Sequence, residues 1–142
     1  MLISWQDALD LILNHIQPLK IESRPLAEAS GYCLAQDVFA DRDFPPTNRS
    51  AMDGYAVRSA DISADGCRLQ VAGEAKAGEP AGQRIVPGAC TRIMTGAVVP
   101  DGADAVLRQE DVLKKGGQIY FKGAVKPGEN IRTQGEEARR GE

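Results

Sequence analysis

Apolar residues fall at helical spacing in one stretch of this chain. Trp5, Ala8, Leu9, Ile12 and Ile16 share one face of a 3.6-residue repeat and Pro18 ends the run, which predicts an amphipathic helix over residues 5–17. Ser4 and Asp7 stand three apart at its start, the spacing of a capping box. A short helical turn is expected at 25–29, closed by Ser30-Gly31 with the glycine in the left-handed conformation that follows many helices. A strand is expected next, over 32–39. From Asp41 onward the texture is β: residues 68–72, 90–94, 105–108 and 118–121 are short β-prone runs bounded by Gly, Pro or Asp, and Tyr55 and Val57 enter another. No helical stripe of three turns interrupts them, so a doubly wound parallel sheet cannot be assembled. The expected class is mainly β, an irregular coiled or barrel-like sheet.

Composition agrees. The 142 residues are 42% apolar and 26% charged, enough to build a core, and fifteen glycines with eight prolines imply many turns. The net charge of −3 comes from scattered charges, which disfavours a nucleic-acid or anionic-membrane surface. No run of about 18 apolar residues and no signal-peptide pattern is found, so a cytoplasmic location is expected. Cys33, Cys67 and Cys90, odd in number and widely spaced, read as free thiols; with a single histidine, His15, placed near a helix end, a zinc site is not expected. The nearly all-charged residues 136–142 read as an interrupted chain.

Three segments could carry chemistry. The stretch 44–57, FPPTNRSAMDGYAV, is a stiff polar loop between apolar anchors that can bring its backbone close to a ligand, though its composition is more simply read as plain turn structure. Asp41 and Asp43 form an Asp-x-Asp pair that can hold a divalent cation, though such pairs are common on solvated loops. Residues 71–79 carry spaced glycines but fail the P-loop pattern, with no Gly-Lys-Ser/Thr. In 92–104, Thr95 and the amides of Gly96 and Ala97 stand at a strand end, a place to receive an oxyanion, while Pro100-Asp101-Gly102 reads as a turn.

The strings SAMDGYAV (50–57), GEAKAGEP (73–80), RIMTGAVVPDGADAVLRQED (92–111) and PGENIRTQGEEARRGE (127–142) together resemble the molybdopterin molybdotransferases, the molybdenum insertases, and the C-terminal domain of gephyrin. The resemblance runs from Trp5 to the last residue and rests on four motifs in fixed order. It implies a bifurcated, coiled β domain at 26–132, with an N-terminal helix at 1–25 and a return at 133–142 that belong to an elongated linker domain, the return being truncated. It also implies an activity: molybdate is inserted into adenylylated molybdopterin with the help of Mg2+, releasing molybdenum cofactor and AMP. By the same resemblance Asp53, also the metal ligand, and Thr95 are catalytic. Ser50, Glu74, Lys76, Gly96, Ala97 and Glu110 are substrate-binding candidates, with loop-fixing hydrogen bonds as their alternative role. The expected partners are a second copy in a homodimer and a molybdopterin adenylyltransferase upstream, with no nucleic acid and no membrane. The family continues into an α/β domain and a small β-barrel, so the 142 residues alone are expected to be inactive. A gephyrin-like scaffold module is the alternative reading; it would call for a preceding linker and adenylyltransferase domain.

Overall fold

The computed structural model describes residues 3–142, which fall into two compact units divided between Val38 and Phe39. The first unit begins with α1, Trp5–His15. Ser4 Oγ accepts the Asp7 N–H at 3.1 Å and the Asp7 carboxylate reaches back to Ser4, the expected capping box. α1 ends two residues before the predicted limit because Ile16 is already extended ahead of Pro18. His15 Nδ1 lies 2.7 Å from the Leu11 carbonyl, in the last turn, where it complements the helix dipole. A 3-10 turn follows at Leu26–Glu28, and Gly31 takes the left-handed φ of +86°. The strand expected over 32–39 is absent: those residues pair with no other segment, and β propensity without a ladder partner leaves the chain irregular. The boundary between compact units falls at 38/39, where the sequence reading divided the chain at 25/26. Residues 133–142 group with the β unit, because Phe44 bridges Ala138 and the Gly135 N–H donates to the Pro45 carbonyl.

The second unit is built on β1 (Arg49–Ser50), β2 (Gly54–Val57), β3 (Cys67–Ala75), β4 (Ala89–Ile93), β5 (Ala105–Arg108), β6 (Leu113–Lys115), β7 (Gln118–Phe121) and β8 (Ile131–Arg132). Six strands form one sheet in the order β5-β2-β4-β3-β7-β6, and β1 pairs with β8 apart from it. The β5 and β7 bounds match the sequence reading; β3 runs further, and the short β1, β6 and β8 were not foreseen. All pairings in the large sheet are antiparallel except β3 with β4, whose parallel register is Glu74↔Arg92 and Ala75↔Ile93 after a bulge between Val71 and Gly73.

The sheet is mostly strand, curled as a half-barrel, and buries both faces. Tyr55, Val57, Leu69, Cys90, Ala105, Leu107, Val112 and Ile119 form one core cluster; Ala56, Ala75, Ile85, Ile93, Ala97 and Val106 form the other. β2 contributes to both in alternation, which is why Gly-Tyr-Ala-Val is buried at all four positions and reads as a continuous apolar run. Cys33, Cys67 and Cys90 are free thiols, and burial pushes Cys90 up to about 12.

Gly54 is fixed by space. A Cβ there would stand 1.9 Å from the Leu107 carbonyl oxygen, whereas at Gly73 in the β3 bulge nothing lies within 4 Å. Gly54→Ala should therefore destabilise the β unit by about 3 kcal/mol or more, against under ~1 for Gly73→Ala. Urea unfolding checks this, and equal midpoints for the two variants would remove the steric constraint.

Candidate functional site

Sheet register brings the two strongest motifs together. Gly54 opposes Ile93, so the residue before β2 and the residues after β4 leave the sheet at the same end. Asp53 and Thr95 stand there, both exposed. Asp53 Oδ1 accepts the Thr95 N–H at 2.7 Å and the Thr95 hydroxyl at 2.8 Å. The Asp53 carbonyl accepts the Gln109 N–H at 3.0 Å, which fixes the backbone from the β5 side. The Thr95 amide first and its hydroxyl second hold the Asp53 carboxyl below its ordinary value of 3.8, with the Arg92 guanidinium acting in the same direction.

A second set of bonds fastens the turn 94–98 onto β1. The Gly96 N–H donates to the Ser50 carbonyl at 2.8 Å, the Ser50 N–H to the Ala97 carbonyl at 3.0 Å, and Arg49 Nη1 to the Gly96 carbonyl at 2.7 Å. Gly96 takes a left-handed φ of +80°, which makes the turn possible. These bonds correct the expectation of an amide oxyanion cradle. The Thr95, Gly96 and Ala97 amides donate to Asp53 Oδ1, the Ser50 carbonyl and the Met94 carbonyl, and the Ala97 side chain is fully buried in the second core cluster. The turn therefore offers a ligand the Thr95 hydroxyl, with its amides already spent on folding.

Ser50 is placed in the loop-fixing arrangement given as its alternative role. It is 1% exposed, and its Oγ donates to the Met52 carbonyl at 2.5 Å while accepting the Met52 N–H at 3.3 Å, so it fixes the bend 50–53 and faces inward. Glu74 and Lys76 come together, 3.7 Å apart, and Glu74 also meets Arg92 Nε at 3.3 Å. Glu110 lies in the 3-10 turn Gln109–Asp111, with its carboxylate on Gln109 Nε2 at 3.2 Å and none of the other candidates. Asp41 and Asp43 do not converge: Asp41 pairs with Arg42, while Asp43 accepts the Arg140 N–H at 2.9 Å and Gln134 Nε2 at 2.6 Å. Sequence reasoning missed Arg49 and Arg92. Arg92 opens the 92–111 string itself, and that place was the available signal.

Among the described residues no group of three or more His, Cys, Asp or Glu side chains could hold a metal. A concavity of about 550 Å³ lies along 135–142, and none of the candidate residues lines it. No helix among the described residues is long and apolar enough to cross a membrane.

A curled β unit thus carries a threonine-bound aspartate at one end of its sheet, where two of the motifs meet. The chain belongs to the family described as the MoeA N-terminal region (domain I and II), which matches residues 3–142. It is 38% identical to a molybdopterin molybdenumtransferase of Synechococcus elongatus, over 99% of this chain and 37% of that protein. It is 40% identical to one of Haemophilus influenzae, over 88% of this chain and 31% of that protein. The molybdopterin biosynthesis moeA protein from Pyrococcus horikoshii OT3 superposes with a TM-score of 0.88 at 38% identity, covering all of this chain and 39% of that one. The chain thus spans about a third of the length of these relatives.

The Asp53 bonds carry a sign. Because the folded-state value lies below 3.8, the contribution of these bonds to stability is fully present above that pH and is lost as pH falls through the lower folded value. A carboxyl NMR titration should place the Asp53 midpoint below 3.8, and Thr95→Val, which keeps the amide but removes the hydroxyl, should raise it part of the way back. A midpoint unmoved by Thr95→Val would show that the hydroxyl does not bind the carboxylate.

Proposed function

We propose that this chain is the N-terminal segment of a molybdenum insertase, which places molybdate into adenylylated molybdopterin and releases molybdenum cofactor and AMP. The observation that carries the reading is the Asp53–Thr95 pair, built from two motifs of a family whose curated relatives are named molybdopterin molybdenumtransferase.

The pair suits a phosphorylated substrate. Thr95 is a single mobile donor: its hydroxyl can turn from Asp53 to an anionic oxygen, while the amide continues to hold the carboxylate. Asp53 stays ionised at neutral pH, so it can accept a proton-bearing group or orient a water. Magnesium fits this donor set in one specific way. Both Thr95 bonds converge on Oδ1, which leaves Oδ2 as one protein oxygen, and Mg2+ is commonly held by one or two carboxylates with substrate phosphates and waters. When bound, the ion would neutralise phosphate charge at the bond that is cleaved. Asp53 is the residue of this chain that would hold it.

We infer further that the protein acts in the cytoplasm as a homodimer, downstream of a molybdopterin adenylyltransferase, and that these 142 residues, which span about a third of the relatives' length, make no cofactor alone.

The test uses a form of the protein extending to the full length of these relatives. Asp53→Asn should lower cofactor formation roughly tenfold or more, since it removes charge at nearly constant shape. Thr95→Val should lower it less, with a cost near 1–3 kcal/mol for an orphaned partner, and Thr95→Ser should retain most activity. Equal activity in the Val and Ser forms, with Asp53→Asn unimpaired, would end the assignment.

A further inference from the structure

Strand alternation sorts the charged residues around the Asp53 end of the sheet. Tyr55, Arg92 and Glu74 are register partners across β2, β4 and β3, so their side chains share the face that carries Cys90 and Leu107. Glu74 holds Arg92 by Nε at 3.3 Å and meets Lys76 at 3.7 Å. On the same face Lys114 Nζ of β6 stands 5.5 Å from the centre of the Tyr55 ring. Two cations, Arg92 and Lys76, therefore meet one carboxylate. Arg92 differs from Lys76 in pairing through Nε, on a side chain that is still 34% exposed. A guanidinium held this way keeps its terminal N–H groups as a planar fork for two oxygens of one anion. Arg92 is also close enough for its charge to act on Asp53, and β4 leads from it to Thr95 in three residues.

We propose that Arg92 is a ligand-recognition residue that takes an anionic oxygen of a phosphorylated ligand lying against the Asp53–Thr95 pair, and that Glu74 is the positioning residue that aims its guanidinium. The inference rests on the proposed function for the nature of the ligand, and adds the groups that read its charge. The lysines supply point charges on flexible stems; Arg92 supplies direction. If Glu74 and Arg92 were only a cross-strand ion pair, their variants would change stability and leave anion binding unchanged.

Pyrophosphate is the probe, added to the 142-residue chain while 15N spectra follow the Thr95 amide and the Arg92 Nε–H. Both signals should shift and saturate. Arg92→Gln should weaken binding by roughly tenfold or more, Arg92→Lys should recover part of the loss, and Glu74→Gln should weaken it by about threefold. Arg68→Gln, on an exposed position of β3, should bind like the native chain. The absence of a saturable shift in the native chain overturns the proposal, as does native affinity in a folded Arg92→Gln or an equal loss in Arg68→Gln. Should Arg92→Gln not fold, the lysine variant decides: weaker binding supports the proposal and unchanged binding overturns it. Loss of cofactor formation in Thr95→Val alongside native pyrophosphate binding in Arg92→Gln would sink this inference and leave the function standing.

Discussion

The Leu107 carbonyl oxygen occupies the space that a side chain at position 54 would need, at 1.9 Å from the place of its Cβ. That contact lets β2 lie between β4 and β5 with both faces buried, Tyr55 and Val57 in one core cluster and Ala56 in the other. Everything at the site hangs from β2. With the strand seated, the Asp53 carbonyl meets the Gln109 N–H, the bend 50–53 closes on Ser50 Oγ, and the carboxylate is delivered to the end of β4 where Thr95 stands. A glycine that packing requires thus sets the position of the charged residue beside it in sequence.

The turn that carries Thr95 divides its donors between two tasks. Its amides are engaged within the protein, as backbone groups near a core must be, and releasing any of them would orphan a partner. The hydroxyl is different: it is exposed, it rotates, and its present acceptor retains a second donor if it leaves. Arg49 strengthens the division by holding the Gly96 carbonyl, so that the peptide after Thr95 stays in place while the hydroxyl changes partner. Stiffness in the backbone and freedom in one O–H bond are what a preorganised anion site needs.

Much of this was legible in the sequence, and what was not has a common cause. The helix start could be read from Ser4 and Asp7, and the β5 and β7 bounds from local composition, because neighbouring residues decide them. Motif order singled out Asp53 and Thr95 one by one, and the fold brings them together at one end of the sheet. The bonds of the Gly96 amide to the Ser50 carbonyl and of the Ser50 amide to the Ala97 carbonyl join partners 46 and 47 positions apart along the chain, which no local pattern reveals. The strand expected over 32–39 failed for the opposite reason: its propensity was present but no partner was. Two-residue strands such as β1 and β8 exist only as a pair, Arg49 with Arg132 and Ser50 with Ile131, and carry no periodicity that could be counted.

The single parallel pairing explains why charge collects where it does. An antiparallel neighbour would set the end of one strand beside the start of the other, and Glu74 would then face the far end of β4. Parallel pairing of β3 and β4 sets their carboxyl ends side by side, so Glu74 lies across from Arg92, Lys76 follows where β3 leaves the sheet, and Thr95 follows where β4 does. The cost is a crossover connection over 76–88, whose return is pinned when the Gly88 N–H donates to Asp61 and the Gln70 N–H to the Gly88 carbonyl. Carboxyl ends of adjacent parallel strands are the usual place for ligands in open α/β sheets, because chains leaving them can diverge and leave polar groups between. Here one such pair inside an otherwise antiparallel sheet is enough to bring a carboxylate, a guanidinium, an ammonium and a hydroxyl to one edge, and that edge is where β2 places Asp53.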